Sequence, residues 1–414
     1  MTSSDPAEKM NILYISNEYP PETGYGGIAT YTRHMARGMA ALGHTVHVLC
    51  RSESGGDARY NDGGVTVHRV VCGQYPLPKG RFWYPFRMLC YRVISQSLIR
   101  LAWAKTVREK YNELRKELSF DVIEYPECGA EGFYLARERN LPLAVRLHTP
   151  WTLVRELDRI KEHPLDCMLQ SYMEKSTIQR SRSVSSPSLA LATLLKDRWH
   201  IREPAVFPNP IPIKSYRKRS GKQRWIYTGR IEYRKGVHHL IEAYALVSQT
   251  HSPPELLLVG AAVGKMEDGT LYGDYISYLI KRYAASGKIV HIAGVEHDRI
   301  PELLQNSSAA FFPSLWENFP YSCMEAMASG LTVAASDCGG YPEMLEDGVS
   351  GLLFTSENTE SIASTMRWIL ENPEQAEKLG KQARIRVRGH FDVSAVSPQE
   401  QRFLKQVIRT GHAA

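Results

Sequence analysis

Several common signatures are missing from this chain. Its seven cysteines include no C-x-x-C pair and no cluster with histidine. That spacing excludes the usual structural zinc sites and a disulfide frame, and it reads as reduced, cytosolic thiols. No run of about 18 apolar residues occurs, so nothing is built to span a bilayer as a helix. Residues 1–10 begin Met1-Thr2-Ser3-Ser4-Asp5-Pro6 and lack the apolar stretch of a secretory signal, so a cytoplasmic location is expected. There is no P-loop, no G-x-G-x-x-G, no H-E-x-x-H and no Ser/His/Asp motif. Those absences disfavour a Walker-type nucleotidase, a nicotinamide oxidoreductase, a zinc protease and a serine hydrolase. Nor is there an Asp-x-Asp pair to hold a divalent ion on a diphosphate. Internal repeats and low-complexity tracts are absent too.

What remains is ordinary globular composition, 43% hydrophobic and 23% charged over 414 residues, a length that normally makes two domains. The formal net charge of +7 suits an anionic partner: nucleic acid, a membrane surface or a phosphorylated small molecule. Charge alone chooses none of them.

The chain opens with a strand-length apolar run, Asn11–Ser16, then a turn-rich stretch ending Gly24-Tyr25-Gly26-Gly27. Ile28, Tyr31, Met35, Met39 and Leu42 follow at helical spacing, Gly43 stops that helix, and Thr45–Cys50 is the next strand. Strands are also expected at Asp121–Tyr125 and Leu143–His148. Near 202–224 the composition shifts to four prolines and then Tyr216-Arg217-Lys218-Arg219-Ser220-Gly221-Lys222, which reads as an interdomain linker. A second α/β pattern begins at Arg224–Thr228, with further strands expected at Leu256–Gly260, Ile289–Ala293, Ala309–Pro313, Thr332–Ser336 and Gly351–Phe354. Helices are expected at Val237–Val247, Ile362–Leu370, Pro373–Val387 and near Pro398–Ile408. The domains are therefore expected at 1–213 and 214–394, with residues 395–414 a helix returning toward the first. Ligands of such sheets bind at the carboxyl ends of the strands, which points to the cleft between the halves.

Three motifs fall at those strand ends. Gly24-x-Gly26-Gly27 precedes a helix, where glycines admit close approach of a ligand and the helix N-terminus favours an anion; a plain turn fits equally. Gly229-Arg230-Ile231-Glu232-Tyr233-Arg234-Lys235-Gly236 puts two cations, Arg230 and Lys235, where a diphosphate could be gripped; a solvated charged loop fits the same residues. Glu317 and Glu325 stand eight positions apart across a loop-to-helix junction, Glu317-Asn318-Phe319-Pro320-Tyr321, followed by Gly339-Gly340-Tyr341-Pro342-Glu343. An amphipathic core helix with a capping Glu is the plain alternative. His148, at a strand end, is a fourth candidate, though a single histidine is more often structural.

Taken together and in order, these residues resemble the retaining glycosyltransferase family 4, with the GT-B fold. The resemblance spans nearly the whole chain and includes Asn209-Pro210-Ile211, Leu258-Val259-Gly260 and Ala293-Gly294-Val295. It implies two Rossmann-like doubly wound domains facing a central cleft. It implies that Arg230 and Lys235 bind and stabilise the departing diphosphate. Glu317 meets the donor sugar hydroxyls, and the backbone of Asn318, Phe319, Pro320 and Tyr321 supports sugar and phosphate. Glu325 takes the ribose hydroxyls, Val295 lies near the base, His148 beside the transferred sugar, and Gly26 and Gly27 near phosphate or acceptor. Two departures stand out. Asn318-Phe319-Pro320 replaces the family's more usual Gly-Phe-Gly or Ser-Phe-Gly, and a longer polar segment, Ala261–Gly273, follows Val259-Gly260.

The expectation is a retaining, metal-independent enzyme moving a hexose-type sugar from a nucleoside-diphosphate sugar to a hydroxyl of unknown identity. The donor expected first is a UDP-sugar, with GDP- and ADP-sugars as alternatives; no cofactor, metal ion or nucleic acid is expected. A nucleotide-sugar epimerase of the same fold, or a basic membrane- or nucleic-acid-binding protein with a degenerate site, are the competing functions. Lys79–Arg87 mixes cations with aromatics, and the stretch to Glu117 adds Arg92, Arg100, Lys105, Arg108 and Lys110. That pattern fits either contact with an anionic membrane's inner face or a core helix with a charged outer side.

Overall fold

The computed structural model describes residues 9–138, 140–216, 223–283 and 288–412, so the basic part of the expected linker, 217–222, lies outside the described residues. The first sheet has β1 (Asn11–Ser16), β2 (Thr45–Ser52), β3 (Ala58–Asp62), β4 (Val65–Val71), β5 (Val122–Pro126), β6 (Leu143–Arg146), β7 (Ser183–Ser186) and β8 (Ala205–Val206). Their spatial order is β3-β4-β2-β1-β5-β6-β7-β8, parallel except that β3 runs against β4. The second sheet has β9 (Arg224–Thr228), β10 (Leu256–Val259), β11 (Ile289–Ile292), β12 (Ser307–Phe312), β13 (Thr332–Ser336) and β14 (Leu352–Phe354) in the order β11-β10-β9-β12-β13-β14, all parallel. Strands such as Leu256–Val259 and Thr332–Ser336 are buried at every position, as parallel strands covered by helices on both faces must be.

Strand order sets the place of the site. In the first sheet the chain leaves β1 for β2 on one side, and β5 lies on the other. In the second, β10 and β12 flank β9. The loops after β1, β5, β9 and β12 therefore open at the two points where winding reverses, which is where doubly wound sheets bind ligands. These loops carry Asn17–Gly26, Glu127, Gly229–Gly236 and Pro313–Pro320.

The chain crosses between the domains twice, and the crossings are paired: Ile211 N–H donates to the Phe391 carbonyl at 2.8 Å and Val393 N–H to that of Ile211 at 3.1 Å. The last helix, Val393–His412, starts five residues ahead of Pro398, the residue expected to open it. A proline inside a helix costs about 3 kcal/mol or more. Against that, Val396, Phe403, Leu404 and Val407 are buried with Ile12, Met35, Met39 and Phe207 of the first domain, at about 1.5–3 kcal/mol for each large side chain. Burial wins. Gly38 lets this helix approach closely, because a Cβ there would overlap Val393 and Ser397.

The basic aromatic stretch divides in two. Ser95–Leu114 is a core helix that buries Leu98, Trp103 and Val107. Tyr84–Val93 buries only Cys90 and leaves Phe86, Met88, Leu89 and Tyr91 exposed, beside exposed Phe82 and Trp83. Among the described residues no helix is long and apolar enough to cross a membrane.

Candidate active site

Glu317 lies at the centre of a buried ionic cluster. The loop after β9 makes a single 3-10 turn, Tyr233–Lys235, and closes on Gly236 at φ +63°. A side chain at that position would overlap the Pro313 carbonyl, so glycine lets this loop press against the one after β12. Leu315 N–H bonds to the Arg234 carbonyl at 2.7 Å and fixes the contact. The result brings both Arg234 Nη1, at 2.6 Å, and Lys235 Nζ onto Glu317 Oε1. Burial opposes charge on Glu317, but Lys235 and then Arg234 outweigh it and hold the carboxyl below its ordinary value. Burial acts the other way on Lys235 and lowers its proton affinity, with Glu317 partly offsetting this.

Arg230 stands apart from that cluster. It is 66% exposed at its side chain and pairs with Glu232 at 2.9 Å. Lys235 was anticipated beside it; Arg234 was not, yet it makes the central contact. Arg234 also binds Glu232 at 2.9 Å and, across the cleft, Asp158 of the first domain. Nothing in the spacing distinguishes Arg234 from a solvated loop residue.

Glu325 sits on the inner face of the helix Tyr321–Ala328. Its Oε1 accepts the Tyr216 hydroxyl at 2.9 Å and lies 3.5 Å from His297 Nε2. His297 in turn stacks on Tyr25 of the glycine loop, with ring centroids 4.0 Å apart. Tyr216 and His297 carried no motif. They are found only through the fold, because 109 residues separate Tyr216 from its partner.

His148 lies just past the end of β6, which stops at Arg146, two residues short of the expected end. Its backbone N–H donates to both oxygens of Glu127, at 2.9 and 2.8 Å, while its carbonyl accepts from Asn318 Nδ2. Asn318 Oδ1 accepts from the Ser188 hydroxyl at 2.6 Å. Burial, with Arg146 nearby, pushes the His148 imidazole down to about 3, so it is neutral at ordinary pH. Burial pushes the Glu127 carboxyl up to about 8.

The remaining candidates divide. Phe319 points its ring into the second core against Phe391, at 5.3 Å, so only its backbone faces the junction. Pro320 precedes the helix as its N-cap; no side chain caps that N-terminus and no acid lies in its first turn. Tyr321 places its ring 5.8 Å from that of His34. Val295 is half-buried against the second core. Gly26 is the N-cap of the helix Gly27–Ala41, also without a side-chain cap, and open space lies beyond Gly27. Gly340 N–H donates to the Glu317 carbonyl at 2.8 Å, and a Cβ at Gly340 would overlap the Asn318 carbonyl. Two uncapped helix N-termini and three cations thus belong to loops at the two switch points, an arrangement able to hold an anion.

Two facing Rossmann-like domains with the site at their switch points define the GT-B fold of glycosyltransferases. Residues 26–210 match the glycosyl transferase 4-like domain and residues 210–386 the domain of glycosyl transferases group 1. The chain belongs to glycosyltransferase family 4 and is a glycosyltransferase. Glycogen synthase of Mycobacterium tuberculosis is 24% identical, covering 94% of this chain and 92% of its own. MMP alpha-(1->4)-mannosyltransferase of Mycolicibacterium hassiacum is 27% identical, covering 94% and 96%. Among solved structures, sucrose-phosphate synthase from Thermosynechococcus elongatus superposes with a TM-score of 0.76 at 20% identity over 97% of this chain and 100% of its own. Anabaena HepE in complex with UDP and glucose gives 0.67 at 20% identity over 96% and 100%.

Proposed function

We propose that this enzyme is a retaining, metal-independent transferase that moves a hexose-type sugar from a nucleoside-diphosphate sugar to an acceptor hydroxyl. The reading rests on one observation: a buried carboxylate, Glu317, is held by Arg234 and Lys235 eight residues before a second, Glu325, on the same junction. Cations at the first end suit a diphosphate. A carboxylate already accepting a hydroxyl hydrogen from Tyr216 suits a ribose diol at the other. The solved complex of HepE with UDP and glucose supports a UDP-sugar as the first donor to try, with GDP- and ADP-sugars next.

In this reading Arg230 and Lys235 neutralise the departing diphosphate, and the uncapped N-terminus after Pro320 adds its partial positive charge. Glu317 orients the sugar hydroxyls while its cations keep it ionised. His148, neutral, sits beside the transferred sugar. The leaving phosphate helps deprotonate the acceptor on the same face, so catalysis rests on positioning and charge stabilisation. The exposed aromatics of 82–91, interspersed with Arg81, Arg87 and Arg92, support a cytoplasmic protein that meets an anionic membrane surface through its acceptor domain.

The test is a panel of UDP-, GDP- and ADP-sugars incubated with the enzyme, with the released nucleotide and any new glycoside measured. One donor class should be hydrolysed slowly alone and release its nucleotide faster with a hydroxyl acceptor, to which the sugar is transferred with unchanged anomeric configuration. An epimerised nucleotide sugar formed without an acceptor, or an inverted product, would overturn the reading.

A further inference from the structure

Asp158 reaches Glu317 from the opposite domain. It follows the short helix Trp151–Leu157 of the first domain, and its two carboxylate oxygens hold Arg234 twice: Oδ1 takes the backbone N–H at 3.0 Å and Oδ2 takes Nε at 2.9 Å. The same guanidinium donates from Nη1 to Glu317, and its Nη2 forms an ion pair with Glu232 at 2.9 Å. All four side chains are nearly buried, at 9–11% exposure. Held from three directions, the planar guanidinium has one orientation, and Glu317 inherits it.

The other end of that helix grips the same junction. His148, three residues before Trp151, accepts from Asn318 Nδ2, and Asn318 is the neighbour of Glu317. The residues flanking one seven-residue helix, about 10 Å long, therefore anchor both sides of Glu317 from across the cleft. Opening the cleft would break both anchors at once. Without Asp158, Arg234 would be left between two carboxylates of its own domain, Glu232 and Glu317, free to favour either.

We infer that Asp158 is a positioning residue: acting through Arg234, it sets Glu317 and Lys235 in their working arrangement only when the two domains are closed. Bond cleavage is thereby tied to closure, and donor bound to an open enzyme is protected from wasteful hydrolysis. This rests on Glu317 and Lys235 serving the donor site, as proposed above. Asp158 also lines the cleft cavity beside Glu232 and Tyr233, so the split between kcat and donor KM decides whether it acts through Arg234 or on a ligand. A second cross-cleft pair, Arg159 with Glu267 at 2.8 Å, ties the same region together without touching Glu317, and it supplies the control.

The experiment compares kcat and donor KM for wild type, Asp158→Asn, Asp158→Glu, Arg234→Gln, the double variant Asp158→Asn/Arg234→Gln, Glu267→Gln and Lys235→Ala, with melting temperature as a check on folding. Asp158→Asn should lower kcat about tenfold or more, the scale of a lost charged hydrogen bond, with donor KM within about twofold. Asp158→Glu, which keeps the charge, should recover part of the loss. The double variant should be no slower than Arg234→Gln alone, and Glu267→Gln should keep wild-type kcat. Unchanged kcat in Asp158→Asn, additive losses in the double variant, or an equal loss in Glu267→Gln would each overturn the inference. If Lys235→Ala keeps full turnover, it is the donor-site reading that fails, a result distinct from any of these.

Discussion

Tyr216 donates its hydroxyl hydrogen to Glu325 at 2.9 Å, although the two residues lie 109 positions apart. The bond orients a carboxylate that is largely buried on the helix Tyr321–Ala328. A ribose contact persists from the bound donor through the transition state, so its loss weakens binding more than turnover. Glu325→Ala should raise donor KM about tenfold or more, with a smaller change in kcat, and Tyr216→Phe should do the same to a lesser degree. Steady-state kinetics with the donor identified from the panel would check this. A fall in kcat at unchanged KM would remove Glu325 from the ribose.

Glu317 should behave in the opposite way. Its carboxylate is held by Arg234 and Lys235, and in the proposed reading it bonds sugar hydroxyls as positive charge grows on the ring. Glu317→Ala should cut kcat about ten- to a hundredfold, the scale of a buried charged hydrogen bond. Donor affinity, measured by calorimetry, should change less. An effect on affinity alone would show that the roles of the two glutamates are misassigned.

The parts of this site that sequence could reveal are those with local spacing. The run from Gly24 to Gly27 announces a strand–loop–helix unit, and Glu317 with Glu325 brackets a loop-to-helix junction. The residues that hold those groups in place are set by tertiary register instead. Arg234 looks like any cation in a charged loop until the 3-10 turn swings it onto Glu317. Asp158 and Tyr216 have no neighbours in sequence that hint at their partners. The fold shows the same division. Buried parallel strands such as Leu256–Val259 are legible as apolar runs. The edge strand Ala58–Asp62 and the small polar strand Ser183–Ser186 lack that pattern and owe their place to pairing with neighbours. Pro398 misleads because local propensity says stop, while tertiary burial carries the helix through it.

Stability should respond to pH through a buried acid pair. Glu400 of the last helix and Glu124 of β5 are both buried, with Tyr14 donating to Glu400 at 3.3 Å and Tyr31 to Glu124 at 2.9 Å. Burial, then the charge of Glu124, holds Glu400 well above the ordinary carboxyl range; burial raises Glu124 as well. A raised carboxyl stabilises the fold fully below its unfolded value and loses that contribution as pH rises toward its folded value. Glu400→Gln removes the titration but keeps a donor. Relative to this variant, wild type should lose stability by up to about 1.4 kcal/mol per pH unit above pH 5. Denaturant unfolding at pH 5 and pH 8 measures it; parallel curves for the two proteins would contradict the pairing. Glu131, pushed up to about 7 by burial, contributes the same slope to both and cancels.

The exposed aromatics of the first domain should bind anionic lipid. Phe82 is 86% exposed, and the helix Tyr84–Val93 has a single buried residue, so this surface is unused by the core. Replacing Phe82, Trp83 and Phe86 together with serine should abolish co-sedimentation with vesicles rich in anionic phospholipid, while turnover on a water-soluble acceptor stays at wild-type level. Binding should weaken as salt is added, because the cations contribute through screened attraction. No binding of wild type at low salt would sink the idea.

The transferase should also work without a divalent ion. A nucleoside diphosphate gains negative charge as the glycosidic bond breaks, and that charge must be met in the cleft. Lys235 is buried beside Glu317, while Arg230 is exposed at the loop's start and paired with Glu232, so one cation is fixed while the other can exchange its partner for a ligand. The helix beginning at Val237 and the uncapped one at Tyr321 add positive ends. In a closed, water-poor cleft these groups act far more strongly than they would in water. Arg230→Ala and Lys235→Ala should each cut turnover about a hundredfold, by analogy with losing one donor of an oxyanion hole. The two losses should differ in kind: Lys235→Ala also takes one of the two cations from Glu317, leaving Arg234 alone on it, and should be the more severe. Activity in excess EDTA should equal that of untreated enzyme. Complete loss in EDTA, restored by Mg²⁺ or Mn²⁺, would show that a metal ion shares the task assigned to Arg230 and Lys235.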